Sequence, residues 1–287
     1  MQLKVLGSVS PYPHNGKNGV ANLIQENGYK VLLDIGPGST SLLNMKEDLN
    51  NLIIIVSHLH KDHYADLLPL SYASYLYHKY GYLDKKIPIY IPSGDKRKNP
   101  KEYFYTNGWG DEQNIKLDKL EDYEYLKSFG EESYLEFFDY DHKTELKHGP
   151  FKITFNETIH PVKTYSTKVS NGKNSIVYSS DTGYKSTSLS SLNKDVSYNA
   201  NNLSAFAKNT DLLICESTFL RGQLKEKDEH LYAFEAGLIA RETKARELLL
   251  THFFSEEDKK KYVDEAKEYF SNTSFAEENK VYKIGGK

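Results

Sequence analysis

Residues Ser57–Asp66, SHLHKDHYAD, decide how the rest of this chain is interpreted. Four side chains in this stretch can bind a metal ion: His58, His60, Asp62 and His63. The preceding residues Leu52–Val56, LIIIV, are apolar and mostly β-branched, which predicts a buried strand. Ala65–Tyr80 carries apolar residues at helical spacing. The polar cluster therefore lies on a predicted strand-to-helix turn.

The spacing within the cluster predicts two metal positions. Side chains at positions i and i+2 of an extended segment point to the same side, so His58 and His60 can meet one cation. Asp62 and His63 lie where the chain turns into the helix and can reach a second. Imidazole is a common Zn²⁺ ligand, and a carboxylate beside it suits a metal that also holds water. A lone histidine is more often a structural residue, but four such side chains in six positions predict a metal site.

Composition sets broad limits on the protein. The 287 residues are 38% hydrophobic and 13% aromatic, which allows a sizeable core. The net charge of −3 predicts no strong field for polyanions. Without repeats or low-complexity linkers, we expect a single domain over residues 1–287. The single cysteine, Cys215, excludes an internal disulfide, and no signal peptide or membrane span is apparent, so we expect a cytoplasmic protein.

Three further candidate ligands follow predicted strands later in the chain. His160 comes after Phe151–Thr158, Asp181 after Ser175–Ser179, and His252 after Glu247–Leu250. Functional groups collect where strands pass into loops and helices, so these side chains favour an α/β layered fold with one shared site. His230 opens the stretch His230–Thr243, which has apolar residues at helical spacing and predicts a helix.

The pattern H-x-H-x-D-H resembles the signature of the metallo-β-lactamase superfamily of dinuclear hydrolases. Within that superfamily the chain is similar to ribonuclease Z and its shorter relatives, most clearly in LGSVSPYP, LLDIGPGS, SSDTG and LLICESTF. The resemblance implies a four-layer αββα sandwich with two mixed sheets flanked by helices. It also implies two divalent cations, for which Zn²⁺ is favoured and Mn²⁺ is the alternative. The protein is then expected to be a metal-dependent hydrolase.

The resemblance also implies roles for individual residues. The first metal would be held by His58, His60 and His160, and the second by Asp62, His63 and His252, with Asp181 bridging them. Asp62 would also orient the attacking water, and His230, oriented by Glu216, would assist the leaving group. Asp34, in an early D-x-G element, would hydrogen-bond to a metal-binding histidine without binding the metal itself. Alternatively, Asp34 caps a following helix.

The chain departs from ribonuclease Z in one respect. Ribonuclease Z carries a long basic arm that grips transfer RNA, between the equivalents of His160 and Asp181. Here a short hairpin with few basic residues joins them, so transfer RNA is not expected as a partner. The extra length lies at about 95–149, which we interpret as an insertion with little regular structure, apart from one helix around Leu117–Phe129, that could cover the substrate.

The function that follows is hydrolysis by a metal-bridging hydroxide. We expect a phosphodiesterase acting on a small or single-stranded nucleotide substrate. Three alternatives remain: a hydrolase of lactones or thioesters, a ribonuclease Z-type RNA endonuclease, and a metal-stabilised binding module. A di-iron redox protein is disfavoured because that branch has an acidic residue at the position of His60. By resemblance alone, we expect a homodimer. Because no apolar run is long enough for a membrane span, we expect no membrane partner.

Overall fold

The computed structural model describes residues 1–93, 133–184, 203–223, 229–254 and 256–285. The strands in these ranges are β1 Gln2–Gly7, β2 Ala21–Glu26, β3 Tyr29–Leu33, β4 Leu52–Ile55, β5 Ile87–Pro92, β6 Leu135–Tyr140, β7 Glu145–His148, β8 Phe151–Glu157, β9 Tyr165–Ser170, β10 Ser175–Tyr178, β11 Leu212–Glu216, β12 Glu247–Thr251, β13 Thr273–Phe275 and β14 Val281–Lys283. The helices are α1 Met45–Asp48, α2 Lys61–Tyr64, α3 Leu67–Lys79, α4 Leu203–Phe206, α5 Ala233–Thr243 and α6 Lys259–Lys267, with a 3₁₀ turn at Ser39–Leu42.

The strands form two seven-stranded mixed sheets. The first has the order β14-β1-β2-β3-β4-β5-β6, and the second has the order β13-β12-β11-β10-β9-β8-β7. In the first sheet, β3 to β6 run parallel to one another, while β1 pairs antiparallel with β2 and β14. In the second, β10 to β13 run parallel, while β7, β8 and β9 are antiparallel neighbours.

Three apolar clusters separate four layers. The middle cluster contains residues of both sheets, such as Val31 and Ile214, so the sheets pack face to face. A second cluster joins the outer face of the first sheet to α3 through Leu67 and Leu70. A third joins the outer face of the second sheet to α5 and α6. This arrangement confirms the predicted sandwich of two mixed sheets flanked by helices.

The strands nearest the site are buried on both faces. In β4, Ile53 and Ile55 face the other sheet, whereas Ile54 faces the helices. This explains why LIII is a continuous apolar run rather than an alternating one. Since β10, β11 and β12 are parallel neighbours, their carboxyl ends meet at one edge of the second sheet. Asp181, Glu216 and His252 lie at those ends.

Part of the 95–149 stretch is more regular than the sequence predicted, and its interpretation as an insertion stays a prediction. Residues 94–132, with the predicted helix at Leu117–Phe129, lie outside the described residues. The remainder forms β6 and β7, which add an edge strand to each sheet. Edge strands leave one side open to solvent, so these two carry exposed charged residues such as Glu136 and Glu145 and lack a continuous apolar run. No helix within the described ranges has the length and apolarity to cross a membrane.

Candidate metal centre

The seven predicted ligands meet between the two sheets. They form two groups, and within each group the ligand atoms lie within 4.8 Å of one another. The first group is His58, His60, His160 and Asp181, and the second is Asp62, His63 and His252. Asp181 faces both groups. Its Oδ2 lies 3.6 Å from His58 Nε2 and 3.8 Å from His160 Nε2, while its Oδ1 lies 3.4 Å from His63 Nε2 and 3.1 Å from His252 Nε2. One carboxylate thus presents an oxygen to each group.

Backbone conformation directs two of the strand ends that carry these residues. His252 follows β12 with φ of 62°, and Ser180, directly before Asp181, has φ of 55°. A positive φ costs a non-glycine residue on the order of 1 kcal/mol or more. Such conformations persist where the surroundings fix them, and here they turn the chain sharply at the edge of the sheet. The hydrogen bond from Gly183 N to Ile159 O, 2.7 Å long, ties this turn to the segment that carries His160.

Four imidazoles are held by their outer ring nitrogens. His63 Nδ1 lies 2.7 Å from Asp34 Oδ2, His252 Nδ1 lies 2.8 Å from Thr218 Oγ1, and His160 Nδ1 lies 3.0 Å from the Glu229 carbonyl. His58 Nδ1 lies 3.0 Å from Ser57 Oγ. Such contacts fix the tautomer and orientation of metal-binding histidines. The predicted support from Asp34 is therefore present.

The inner atoms of the site fit divalent cations. Nε2 of His58, His63 and His252 and Oδ1 of Asp181 are buried and have no hydrogen-bond partner among the described residues. Buried polar atoms without partners are costly, so a cluster of them facing one another needs a bound group. Imidazole nitrogens and carboxylate oxygens are ligands for Zn²⁺ and related transition metals. The donor set present therefore fits the two ions that this fold implies.

The pKa values of the clustered carboxylate and imidazoles are shifted by burial and by their mutual interactions. Burial by itself would raise the pKa of Asp181, but the imidazoles of His252, His63 and His58 outweigh it and hold that pKa well below its usual range. Burial is also the main reason why the pKa of His58 lies well below 6.5 and that of His160 falls to about 4. Burial would lower the pKa of His63, but the carboxylates of Asp181, Asp62 and Asp34 outweigh it and raise that pKa well above 6.5. A bound cation would replace this proton between the carboxylates and the ring.

Glu216 and His230 form a second unit beside the ligands. His230 Nδ1 lies 3.2 Å from Glu216 Oε1 and 3.8 Å from Asp181 Oδ2. Burial lowers the pKa of His230, but the Glu216 carboxylate more than offsets this and raises it to about 9. Because Nδ1 faces Glu216, Nε2 is the other donor on this ring, and the side chain is 25% exposed. His230 can therefore hold a proton at neutral pH where a substrate can reach it.

The helix predicted from His230 begins later, at Ala233. Glu216 accepts a hydrogen bond from Leu231 N at 3.1 Å, and Glu235 accepts one from Tyr232 N at 2.9 Å. The first contact holds the segment before the helix in an extended conformation. The second satisfies an amide at the start of the helix. His230 is thus held by a loop fixed to Glu216, and the periodic pattern of apolar residues could not reveal this.

Three residues of the site were missed by the sequence analysis. Ser10 Oγ donates to Asp62 Oδ2 at 2.8 Å, Tyr178 Oη donates to Asp34 Oδ2 at 2.8 Å, and Thr218 Oγ1 lies 2.5 Å from Glu216 Oε2. Hydroxyl groups have no recognisable spacing in a sequence. Thr218 and Ser10 do lie within LLICESTF and LGSVSPYP, two motifs that carry the resemblance to ribonuclease Z, and this position was the signal that could have identified them.

Comparisons with known proteins agree with this geometry. A family model described as Anti-Pycsar protein Apyc1 matches residues 1–202. The probable metallo-hydrolase YhfI of Bacillus subtilis is 29% identical over 253 residues, covering 88% of this chain and 86% of that protein. Ribonuclease Z of Archaeoglobus fulgidus is 27% identical over 301 residues, covering 96% and 95% of the two chains. The crystal structure of YhfI, a metallo-β-lactamase fold protein, covers 98% of both chains with a TM-score of 0.73.

Proposed function

This chain belongs to the family described as Anti-Pycsar protein Apyc1 and is a metal-dependent hydrolase of the metallo-β-lactamase fold, and on that basis we propose that it is a phosphodiesterase. The proposed substrate is a small or single-stranded nucleotide diester. The observation that carries the proposal is the Glu216–His230 pair, 3.2 Å apart beside the ligand cluster.

The site residues have the following proposed roles. One cation would be held by His58, His60 and His160 and a second by Asp62, His63 and His252, and Asp181 would serve both. When bound, such a pair of ions lowers the pKa of water and neutralises charge on phosphoryl oxygens. Zn²⁺ is the proposed metal because histidines dominate the set, and Mn²⁺ is the alternative.

The proton chemistry belongs to the chain itself. An alkoxide leaving group needs a proton, and the Glu216 carboxylate, 3.2 Å from His230 Nδ1, favours the protonated form of this ring. The hydrogen bond from Nδ1 to Glu216 leaves His230 Nε2 to donate. Glu216 is fixed in turn by the backbone amides of Thr182, at 2.6 Å, and Leu231, at 3.1 Å. Hydrolysis of a thioester would give this pair no evident role, because a thiolate leaves without a proton, whereas a lactone releases an alkoxide and is distinguished by the substrate panel below.

The test is turnover of bis(p-nitrophenyl) phosphate by protein loaded with Zn²⁺ or Mn²⁺. We expect hydrolysis that His58→Ala abolishes. His230→Ala should slow a diester with an alkyl leaving group far more than this nitrophenyl diester, because nitrophenolate departs without a proton. Two bound metals with no diester turnover would refute the proposal, and a lactone and thioester panel would then identify the alternative.

A further inference from the structure

Thr218 connects the two halves of the site through a hydroxyl group that has a single proton. Its Oγ1 lies 2.5 Å from Glu216 Oε2 and 2.8 Å from His252 Nδ1, and the side chain is buried. Glu216 also accepts hydrogen bonds from Thr182 N, Leu231 N and His230 Nδ1, which together stabilise its anionic form. A carboxylate can only accept a hydrogen bond, so the Thr218 proton points to Glu216.

The direction of that bond determines the state of His252. With its proton on the Glu216 side, Thr218 Oγ1 can only accept from His252, so His252 Nδ1 carries a proton. In the neutral ring Nε2 then holds a lone pair. That atom lies 3.1 Å from Asp181 Oδ1 and 3.8 Å from Asp62 Oδ2, and acceptors facing one another need a metal ion or a further proton between them.

We propose that Thr218 is a positioning residue that fixes the metal-binding tautomer of His252 and ties it to the carboxylate that orients His230. This inference rests on the proposed metal centre and extends it to a residue that binds neither metal nor substrate. Without the hydroxyl, the His252 ring is free to place its proton on Nε2 and donate it to Asp181, which would block the ligand atom.

The experiment compares Thr218→Val, which keeps the side-chain shape, with Thr218→Ser, which keeps the hydroxyl. In the metal-free protein, long-range ¹H–¹⁵N NMR should show an Nδ1 proton on His252 in the wild type and in Thr218→Ser, and an Nε2 proton in Thr218→Val. In a Zn²⁺ titration, Thr218→Val should bind one equivalent with wild-type affinity and the other about 10–100-fold more weakly. Thr218→Ser should restore both.

Thr243→Val is the matched control, because Thr243 is equally buried and its hydroxyl contacts the Ala240 carbonyl at 2.9 Å within α5. It should lower thermal stability without changing zinc affinity. A folded Thr218→Val protein that binds both equivalents with wild-type affinity, or that keeps the proton on His252 Nδ1, would overturn the proposal. If the wild type bound two metals but hydrolysed no diester, the proposed function would fail while the role of Thr218 stood.

A different observation concerns two aromatic rings at the rim of the site, exposed Phe254 and half-buried Phe219. The Phe254 ring is 43% exposed, although it follows His252 by only two residues. Its centroid lies 5.7 Å from that of Phe219, and Phe219 lies 6.3 Å from the His230 ring. These rings form a continuous aromatic surface that leads from His230 to solvent.

This surface points to a subsite for the base of a nucleotide substrate, and we infer that the base stacks on Phe254. The inference rests on the proposed function. His230 Nε2 would protonate the leaving oxygen, so the group attached to that oxygen lies near the rings. Aromatic side chains stack on any base, and this contact strengthens binding without taking part in proton transfer.

The test uses nucleotide diesters, cyclic and dinucleotide, each with a counterpart that lacks the base. Phe254→Ala should raise KM about tenfold for the substrates with a base, with kcat unchanged and no effect on the abasic counterparts. Phe138→Ala removes a similarly exposed ring on β6 and should change neither value. Equal KM values for Phe254→Ala and wild type would overturn the subsite, as would wild-type turnover of bis(p-nitrophenyl) phosphate without turnover of any nucleotide. Failure to hydrolyse any diester would instead refute the proposed function.

Discussion

Asp34 shows how one buried side chain can hold several parts of a site. Its Oδ1 accepts from Ser57 N at 2.7 Å, and its Oδ2 accepts from Ser57 Oγ at 2.8 Å and Tyr178 Oη at 2.8 Å and contacts His63 Nδ1 at 2.7 Å. Ser57 follows β4 of the first sheet, Tyr178 lies in β10 of the second, and His63 belongs to the histidine cluster. A carboxylate is required because all the groups around it donate hydrogen bonds.

Asp34→Asn should therefore weaken both the fold and the site. The amide nitrogen would face a donor, and we expect a loss of about 1–3 kcal/mol in the free energy of unfolding and about 10–100-fold in zinc affinity. Denaturant unfolding and zinc titration measure the two effects. Asp66→Asn is the control, since Asp66 accepts from Gly38 N, Thr40 N and Thr40 Oγ1 away from the ligands. Equal zinc affinities for Asp34→Asn and wild type would contradict the role.

Lys259 gives a pH dependence that does not involve the metal ligands. Burial lowers the pKa of Lys259 to about 8, although the Glu278 carboxylate opposes the shift. A lysine in the unfolded chain titrates near 10.4, so between pH 8 and about 10.4 the unfolded chain binds more protons than the folded one. Below pH 8 the folded state therefore bears the full free-energy cost of burying the charged lysine. This cost disappears as pH rises toward 10.4.

The corresponding measurement compares the wild type with Lys259→Met. The stability of the wild type relative to this variant should rise between pH 8 and 10, as followed by denaturant unfolding of the metal-free protein. Lys261→Met serves as the reference, because the Lys261 side chain is 60% exposed and pairs with Glu257 on the surface. A flat difference between wild type and Lys259→Met over this range would contradict the low pKa.

At the scale of elements, α5 and α6 pack closely because of one glycine. A Cβ atom added at Gly237 would lie 2.4 Å from the backbone oxygen of Ala266. Helix propensity alone predicts that Gly237→Ala stabilises α5 by about 1 kcal/mol. The backbone contact predicts the opposite, a loss of about 1–3 kcal/mol, since the helices must move apart.

The sign of the change measured by denaturant unfolding decides between these effects. We expect Gly237→Ala to be less stable than the wild type and to keep its zinc stoichiometry, because α5 contributes no ligand. Gly28→Ala is a useful comparison, since its Cβ would meet no atom within 4 Å and only the backbone at φ of 81° is strained. A Gly237→Ala protein more stable than the wild type would show that the helices adjust freely.

The elements also show what sequence reasoning could recover. The run LIIIV and the polar residues after each strand predicted the strands and the edge at which the ligands meet, because burial and strand ends leave periodic patterns. The start of α5, the edge strands β6 and β7 and the Thr218 hydrogen bonds left no such pattern. Each depends on a contact between distant residues: Glu216 with Leu231, β6 with β5, and Thr218 with His252.

At the scale of the whole molecule, the site joins the two sheets. His58, His60, Asp62 and His63 follow β4 of the first sheet, whereas His160, Asp181 and His252 follow β8, β10 and β12 of the second. The sheets share the middle apolar cluster, which holds them face to face without any metal. Bound cations would add cross-links at one edge of a core that is already packed.

Metal removal should therefore lower stability without unfolding the protein. A ligand at 100 times its dissociation constant stabilises the folded state by about 2.7 kcal/mol, which corresponds to roughly 5–10 °C in Tm for a chain of this size. We expect chelated protein to keep its circular dichroism spectrum and to regain that increment with Zn²⁺. His58→Ala should show a smaller increment, while His148→Ala should match the wild type, because His148 contacts Tyr29 and the Asn51 carbonyl instead. An identical Tm with and without Zn²⁺ would mean that the two sheets do not share a metal site.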